Sequence, residues 1–261
     1  MWPRVRDQRV FVAALTGLVG LTWLSLWLWG RSPYAEFLSH KELGHVHGVG
    51  GQYGWTAFLF VAGWSLMIVA MMLPTSLPLV ALFHSFVRER PNRGRLTALV
   101  VAGYLSVWTL FGFVAHTGDR FVHETVERSA WLGTNTWVIG AGTMLLAGLY
   151  QFTPLKYKCL NKCRSPLSFV MEHWHGGRGE HEAFRLGAHH GVFCVGCCWS
   201  LMLLMFAVGV GNLAWMLALA AVMAVEKNVS WGRRLNTPLG LLLVGWGLVL
   251  VATEGSVAGG V

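Results

Sequence analysis

Long stretches without one charged side chain constrain this chain more than anything else in it. They run over roughly residues 10–29, 55–87, 96–118, 130–155, 191–225 and 239–253. A helix needs about 20 such residues to cross a ~30 Å hydrocarbon core, and most of these runs qualify. The stretch 191–225 would be about 50 Å long as one helix, too long for a single crossing. Gly209-Val210-Gly211-Asn212 near its middle can turn sharply, which divides it into two short helices. Barrel strands alternate apolar and polar residues, and these runs are apolar on every side. With 54% hydrophobic and 12% charged residues there is too little polar surface to coat a soluble globule of 261 residues. The expected fold is therefore all-α: one polytopic membrane helix bundle over residues 1–261, with about seven transmembrane helices and a cytoplasmic loop at about 156–189.

The cationic residues orient it. Cytoplasmic segments of membrane proteins carry the excess of Lys and Arg. With seven spans and the N-terminus inside, sixteen of the 20 Lys and Arg fall in the inner segments 4–9, 88–95, 156–185 and 227–234. Arg31, Lys41, Arg120 and Arg128 remain outside. This asymmetry accounts for the net charge of +8 without a nucleic-acid partner. The first apolar run follows basic residues as a signal peptide would, but it is long and Trp-rich and ends in Trp27-Leu28-Trp29-Gly30, a poor cleavage site, so it reads as a retained helix.

All five cysteines fall on the inner side of this topology. That compartment is reducing, so clustered thiols point to metal binding or redox chemistry rather than structural disulfides. In Thr153-Pro154-Leu155-Lys156-Tyr157-Lys158-Cys159-Leu160-Asn161-Lys162-Cys163-Arg164-Ser165-Pro166, Thr153 can cap a short helix begun by Pro154, which places Cys159 and Cys163 on one face at i and i+4. Lys156, Lys158, Lys162 and Arg164 would surround them with positive charge and favour the metal-binding thiolate. In Cys194-Val195-Gly196-Cys197-Cys198-Trp199, Cys194 faces Cys197 and Cys198 one turn on. Cysteine is also a small packing residue in membrane helices, and methionine a common filler. Met71-Met72-Leu73-Pro74 stands apart, because Pro74 should bend the helix beside two soft thioether ligands. In Gly44-His45-Val46-His47-Gly48, His45 and His47 offer a metal-capturing pair on the outer side. Glu226-Lys227 are adjacent and cannot share a helix face. The expectation is that Glu226 points inward toward the thiols while Lys227 snorkels to the interface.

These motifs, in this order, resemble a bacterial family of predicted metal-binding integral membrane proteins of unknown function. The resemblance rests on Met71-Met72-Leu73-Pro74, on Thr153-Pro154-Leu155-Lys156 followed by Cys159 and Cys163-Arg164-Ser165-Pro166, on Cys194-Val195-Gly196-Cys197-Cys198-Trp199, and on Glu226-Lys227, and it covers about residues 60 to 250. It implies a multi-span helical protein with a metal site at the cysteines, and no reaction; the expected location is the bacterial inner membrane.

The leading functional expectation is metal handling. Cu(I) is favoured because thiols and thioethers prefer soft ions, with Zn(II) as the alternative. The candidate ligands are Cys159, Cys163, Cys194, Cys197, Cys198, Met71, Met72, His45 and His47. No Gly-x-x-x-x-Gly-Lys phosphate loop is present, so movement would follow a gradient or serve delivery to a metal-accepting protein. Two other classes compete: a thiol-redox enzyme using Cys194 and Cys197 as a C-x-x-C pair, and an accessory subunit docked to other membrane subunits. A retinal protein is disfavoured because residues 239–251 contain no Lys for a Schiff base.

Overall fold

The computed structural model describes residues 2–31, 51–176, 179–208 and 212–258, and their regular structure is entirely helical. In chain order the α-helices are α1 (Trp2–Gly30), α2 (Gly51–Met71), α3 (Leu73–Phe86), α4 (Arg93–Arg128), α5 (Ala130–Thr134), α6 (Trp137–Tyr150), α7 (Pro154–Cys163), α8 (Pro166–His173), α9 (Gly179–Val208), α10 (Leu213–Asn228) and α11 (Asn236–Ala258), with a 3-10 turn at Gly232–Leu235. The expected division of the 191–225 run is present, since α9 ends at Val208 and the side chain of Asn212 caps α10 by accepting from Trp215 N at 3.1 Å. Much of the expected loop at 156–189 is instead helix: α7, α8 and the first turns of α9 occupy it.

Helix α9 is the axis of the bundle, flanked by α4, α6, α7, α8 and α10. Its longest seam is with α4, where glycines let two backbones meet. A Cβ on Gly187 would collide with the carbonyl of Val100, and one on Gly103 with the carbonyl of Phe184. Small residues of this kind permit close helix approach where lipid offers no hydrophobic driving force. Helix α6 is sandwiched between α9 and α11, again through a glycine, Gly148, which lies against Val244.

Four segments are long and apolar enough to cross a membrane: Ala13–Gly30, Arg93–Arg128, Gly179–Met205 and Gly232–Gly255. Two sharply bent pairs, Val61–Met71 with Leu73–Phe86 and Trp137–Tyr150 with Pro154–Cys163, raise this to six if each is one broken span, the bends being 67° and 66°. Helix α10, with 16 residues, is about 24 Å long and falls short of a full crossing by itself. The outer surface of the bundle is apolar, with Leu21, Leu110, Phe113, Leu149, Leu241 and Val249 exposed.

Pro74 explains the first bend. Lacking an N–H, it leaves the carbonyl of Ala70 without its helical donor, and Trp23 Nε1 on α1 fills the vacancy at 3.1 Å. The Met72 carbonyl at the bend accepts the hydroxyl of Thr75 at 2.8 Å. The second bend is made by Thr153, whose extended backbone and side chain start α7 by accepting from Lys156 N, with Pro154 at the first helical position.

Candidate metal centre

Both bends deliver sulfur to α9. On α9 itself Cys194, Cys197 and Cys198 occupy one turn and are all buried. The Sγ atoms of Cys197 and Cys198 donate to the carbonyl of Cys194 at 3.1 and 2.9 Å, which fixes their rotamers toward the interior. From α7, Cys163 Sγ approaches Cys197 Sγ to 4.0 Å. Cys159, one turn earlier, rests on Gly196, where a Cβ would lie 2.6 Å from its sulfur. Gly196 is thus required for α7 to dock, and Tyr150 reinforces the contact by donating its hydroxyl to the Gly196 carbonyl. From the first bend, Met72 Sδ stands 4.0 Å from Cys198 Sγ. The structure therefore brings Cys159, Cys163, Cys194, Cys197, Cys198 and Met72 together. Met71 is buried in the same core, but it is Met72 whose sulfur touches a thiol. His45 and His47 lie outside the described residues.

The charge at this site comes from a residue the sequence places elsewhere. Lys227 does not snorkel; it is buried, and its Nζ lies 3.0 Å from Cys194 Sγ, 3.7 Å from Met72 Sδ, 3.9 Å from Cys198 Sγ and 3.3 Å from Thr75 Oγ1. Glu226 is buried too, but it turns away from the thiols to the ammonium of Lys156, at 3.0 and 3.1 Å, and Gln151 accepts from the same ammonium. Three of the four cations around Cys159 and Cys163 are likewise engaged elsewhere. Lys156 holds Glu226, Lys162 pairs with Glu172 at 2.6 Å, Arg164 donates to the carbonyls of Glu226 and Ser230, and Lys158 is exposed. Glu172, on the surface, is held below the usual carboxylate range by the hydrogen bond from Lys162.

Tyr104 is a member of the site that sequence reasoning missed. Its hydroxyl lies 3.1 Å from Cys194 Sγ, and its signal was a single phenol in the otherwise apolar run of α4. At the end of α8 and on α9, His173 and His189 stack edge to face at 5.0 Å. His190 is buried against Tyr104 and meets Ser76 Oγ at 3.3 Å. Neither group joins the sulfurs. Among the described residues no three Cys, His, Asp or Glu side chains converge into a finished coordination sphere. The sulfurs are packed together, with Cys194, Cys198 and Met72 around the Lys227 ammonium, a soft donor set from three separate helical segments.

A family model for copper chaperones, PpoB2, matches residues 61–250. The chain belongs to this copper chaperone family. The matched region takes in both bends, all five cysteines and Glu226-Lys227, the same stretch that carries the resemblance seen in the sequence, and it attaches copper to what that resemblance left as an unspecified metal. The zinc alternative gains nothing from the family or from the geometry. No curated protein and no solved structure matches the chain.

Proposed function

We propose that this chain is a multi-span protein of the bacterial cytoplasmic membrane, with about seven crossings and its N-terminus inside, that takes Cu(I) onto its buried sulfurs and passes it to an acceptor protein. Copper is the cargo here, and Cys163, Cys194, Cys197 and Cys198 with Met72 are the residues that would hold it. The observation that carries the reading is the meeting of thiols from α7 and α9 with the thioether at the α2–α3 bend. Thiolates bind Cu(I), Zn(II) and iron–sulfur clusters, and a thioether among them favours Cu(I), because zinc sites are built from Cys, His and carboxylates. An ammonium at 3.0 Å from Cys194 complements a thiolate, the form that ligates metals. Further into the bundle, Met67, Met202, Met205, Met216 and Met223 are all buried in the same core, which lines the interior with soft, weakly binding groups along which a monovalent ion can step.

The membrane location rests on the apolar outer surface, on the long uncharged helices, and on the gathering of Lys and Arg at one end. Loading requires Lys227 to yield its place, because its ammonium fills the space between Cys194, Cys198 and Met72. Titrating the purified protein with Cu(I) under reducing conditions, against a chromogenic chelator, tests the reading. Cys197→Ser and Cys163→Ser should each weaken binding by roughly tenfold or more, about 1.4 kcal/mol, while the helical circular dichroism is unchanged. Full copper affinity in both variants, or none in the wild type, would overturn it.

A further inference from the structure

Beside the thiols the structure holds a cavity of about 220 Å³ between α3, the α7–α8 junction, α9 and the end of α10. Its depth is formed by Ser76, His190 and Lys227, which are buried, and its rim includes Pro78 and Asn228, which are exposed. The lining contains two cationic side chains, Arg164 and Lys227, and no carboxylate. The carboxylate of Glu226, next in sequence to Lys227, is turned away to Lys156 and is not part of the lining. His190 uses Nε2 toward Ser76 while its Nδ1 is buried without a partner. A buried polar atom left unpaired costs free energy that a bound ligand or water recovers. Cys163 belongs to both places, lining the cavity and standing 4.0 Å from Cys197 in the thiol cluster.

We propose that this cavity receives a small anionic thiol that carries Cu(I), and that Cys163 is the first protein sulfur to take the ion from it. The inference rests on the copper reading above and names the partner that serves the same site. The volume corresponds to about seven water molecules, which suits part or all of a compound of amino-acid to short-peptide size and excludes a folded protein. The two cations and the absence of acid ask for carboxylates on the ligand. Arg90 and Arg93 at the α3–α4 turn, with Arg233 and Arg234 beyond α10, place further positive charge around this end of the bundle, where Arg88 and Arg95 pair with Glu89 and Glu180, and would steer an anion inward. In a reducing compartment Cu(I) travels bound to thiolate, so it must be handed over by ligand exchange. The bond between copper and the carrier sulfur breaks as a bond to Cys163 Sγ forms. The Cys163 proton passes to the departing carrier thiolate, and copper remains Cu(I) throughout, so no oxidant or reductant is needed. From Cys163 the ion has one short step to Cys197.

The test uses the full chain in detergent and two probes. S-methylglutathione carries the carboxylates without a free thiol or copper; it should bind the copper-free protein, and Arg164→Gln should weaken that binding tenfold or more. It should also slow Cu(I) transfer from glutathione, and Arg164→Gln should slow transfer from glutathione more than transfer from 2-mercaptoethanol, an uncharged thiol. Because Arg164 also braces two carbonyls, Asn228→Trp at the exposed rim supplies an independent variant: it should slow transfer from glutathione several-fold and keep the equilibrium copper stoichiometry. Absence of S-methylglutathione binding, an equal effect of Arg164→Gln on both carriers, or equally tight binding of inorganic phosphate would each overturn the proposal. If S-methylglutathione binds but the wild type takes Cu(I) from neither carrier, the copper reading fails and the anion site stands.

Discussion

Lys227 reaches the thiols because Glu226 is held on another side of α10. The carboxylate of Glu226 is fixed by Lys156, and its backbone carbonyl by Arg164. Helix geometry then sends the next side chain to a different face, toward α9. This buried ion pair is therefore also a positioning device, and removing one partner leaves an uncompensated charge, a loss of about 3–5 kcal/mol in comparable buried pairs. Glu226→Gln should lower the thermal midpoint in detergent markedly, whereas the double replacement Lys156→Met with Glu226→Met should cost less than either single Met variant. Additive losses would show that the two residues are not coupled. Lys227→Met should still bind Cu(I), but should surrender it to a chelator several-fold more slowly in stopped flow, because the cation that competes for the space is gone. Release at the wild-type rate would deny Lys227 that role. That Glu226 and Lys227 face apart is legible in the sequence. Which of them meets the thiols is not, because the answer depends on Lys156, seventy residues away and delivered by a bend.

At the scale of elements, the two bends and the glycine seams make the site, and they differ in how plainly the sequence announces them. Pro74, the Thr153-Pro154 start of α7 and the Asn212 cap of α10 are local signals, and each appears where the residues place it. The early start of α9 at Gly179 is not visible as an apolar run, because its first turns hold Glu180, Glu182 and Arg185 and stand beyond the uncharged stretch. The docking of α7 on α9 through Gly196 has no local signature either, since a glycine between two cysteines reads equally as a turn or as spacing. The seams yield a contrast in the folded protein. Gly187→Ala should destabilise the bundle strongly, since its new methyl would overlap the Val100 backbone on α4. Gly140→Ala, where a Cβ meets nothing within 4 Å, should be neutral or stabilising by up to about 1 kcal/mol through helix propensity. Thermal melts of the two variants in the same detergent check both directions, and equal midpoints would argue against the close α4–α9 crossing.

For the molecule as a whole, the helical class and the clustering of cysteines follow from apolar run lengths and spacing. The count of true crossings does not, because α10 is short and two spans are broken. Orientation can be measured directly. Single cysteines placed at the exposed positions Arg120 and Arg128 should react in intact cells with a membrane-impermeant maleimide, and those placed at Arg88 and Arg234 should react only after lysis. The reverse pattern would invert the topology and put the thiol cluster on the outer face. The central claim is that Cu(I) sits on sulfur from α7, α9 and the α2–α3 bend. X-ray absorption at the copper edge of the purified, Cu(I)-loaded protein tests it most directly. The account predicts a first shell of sulfur alone that changes in Cys197→Ser; a shell of nitrogen or oxygen, or a spectrum the same in that variant, would contradict it.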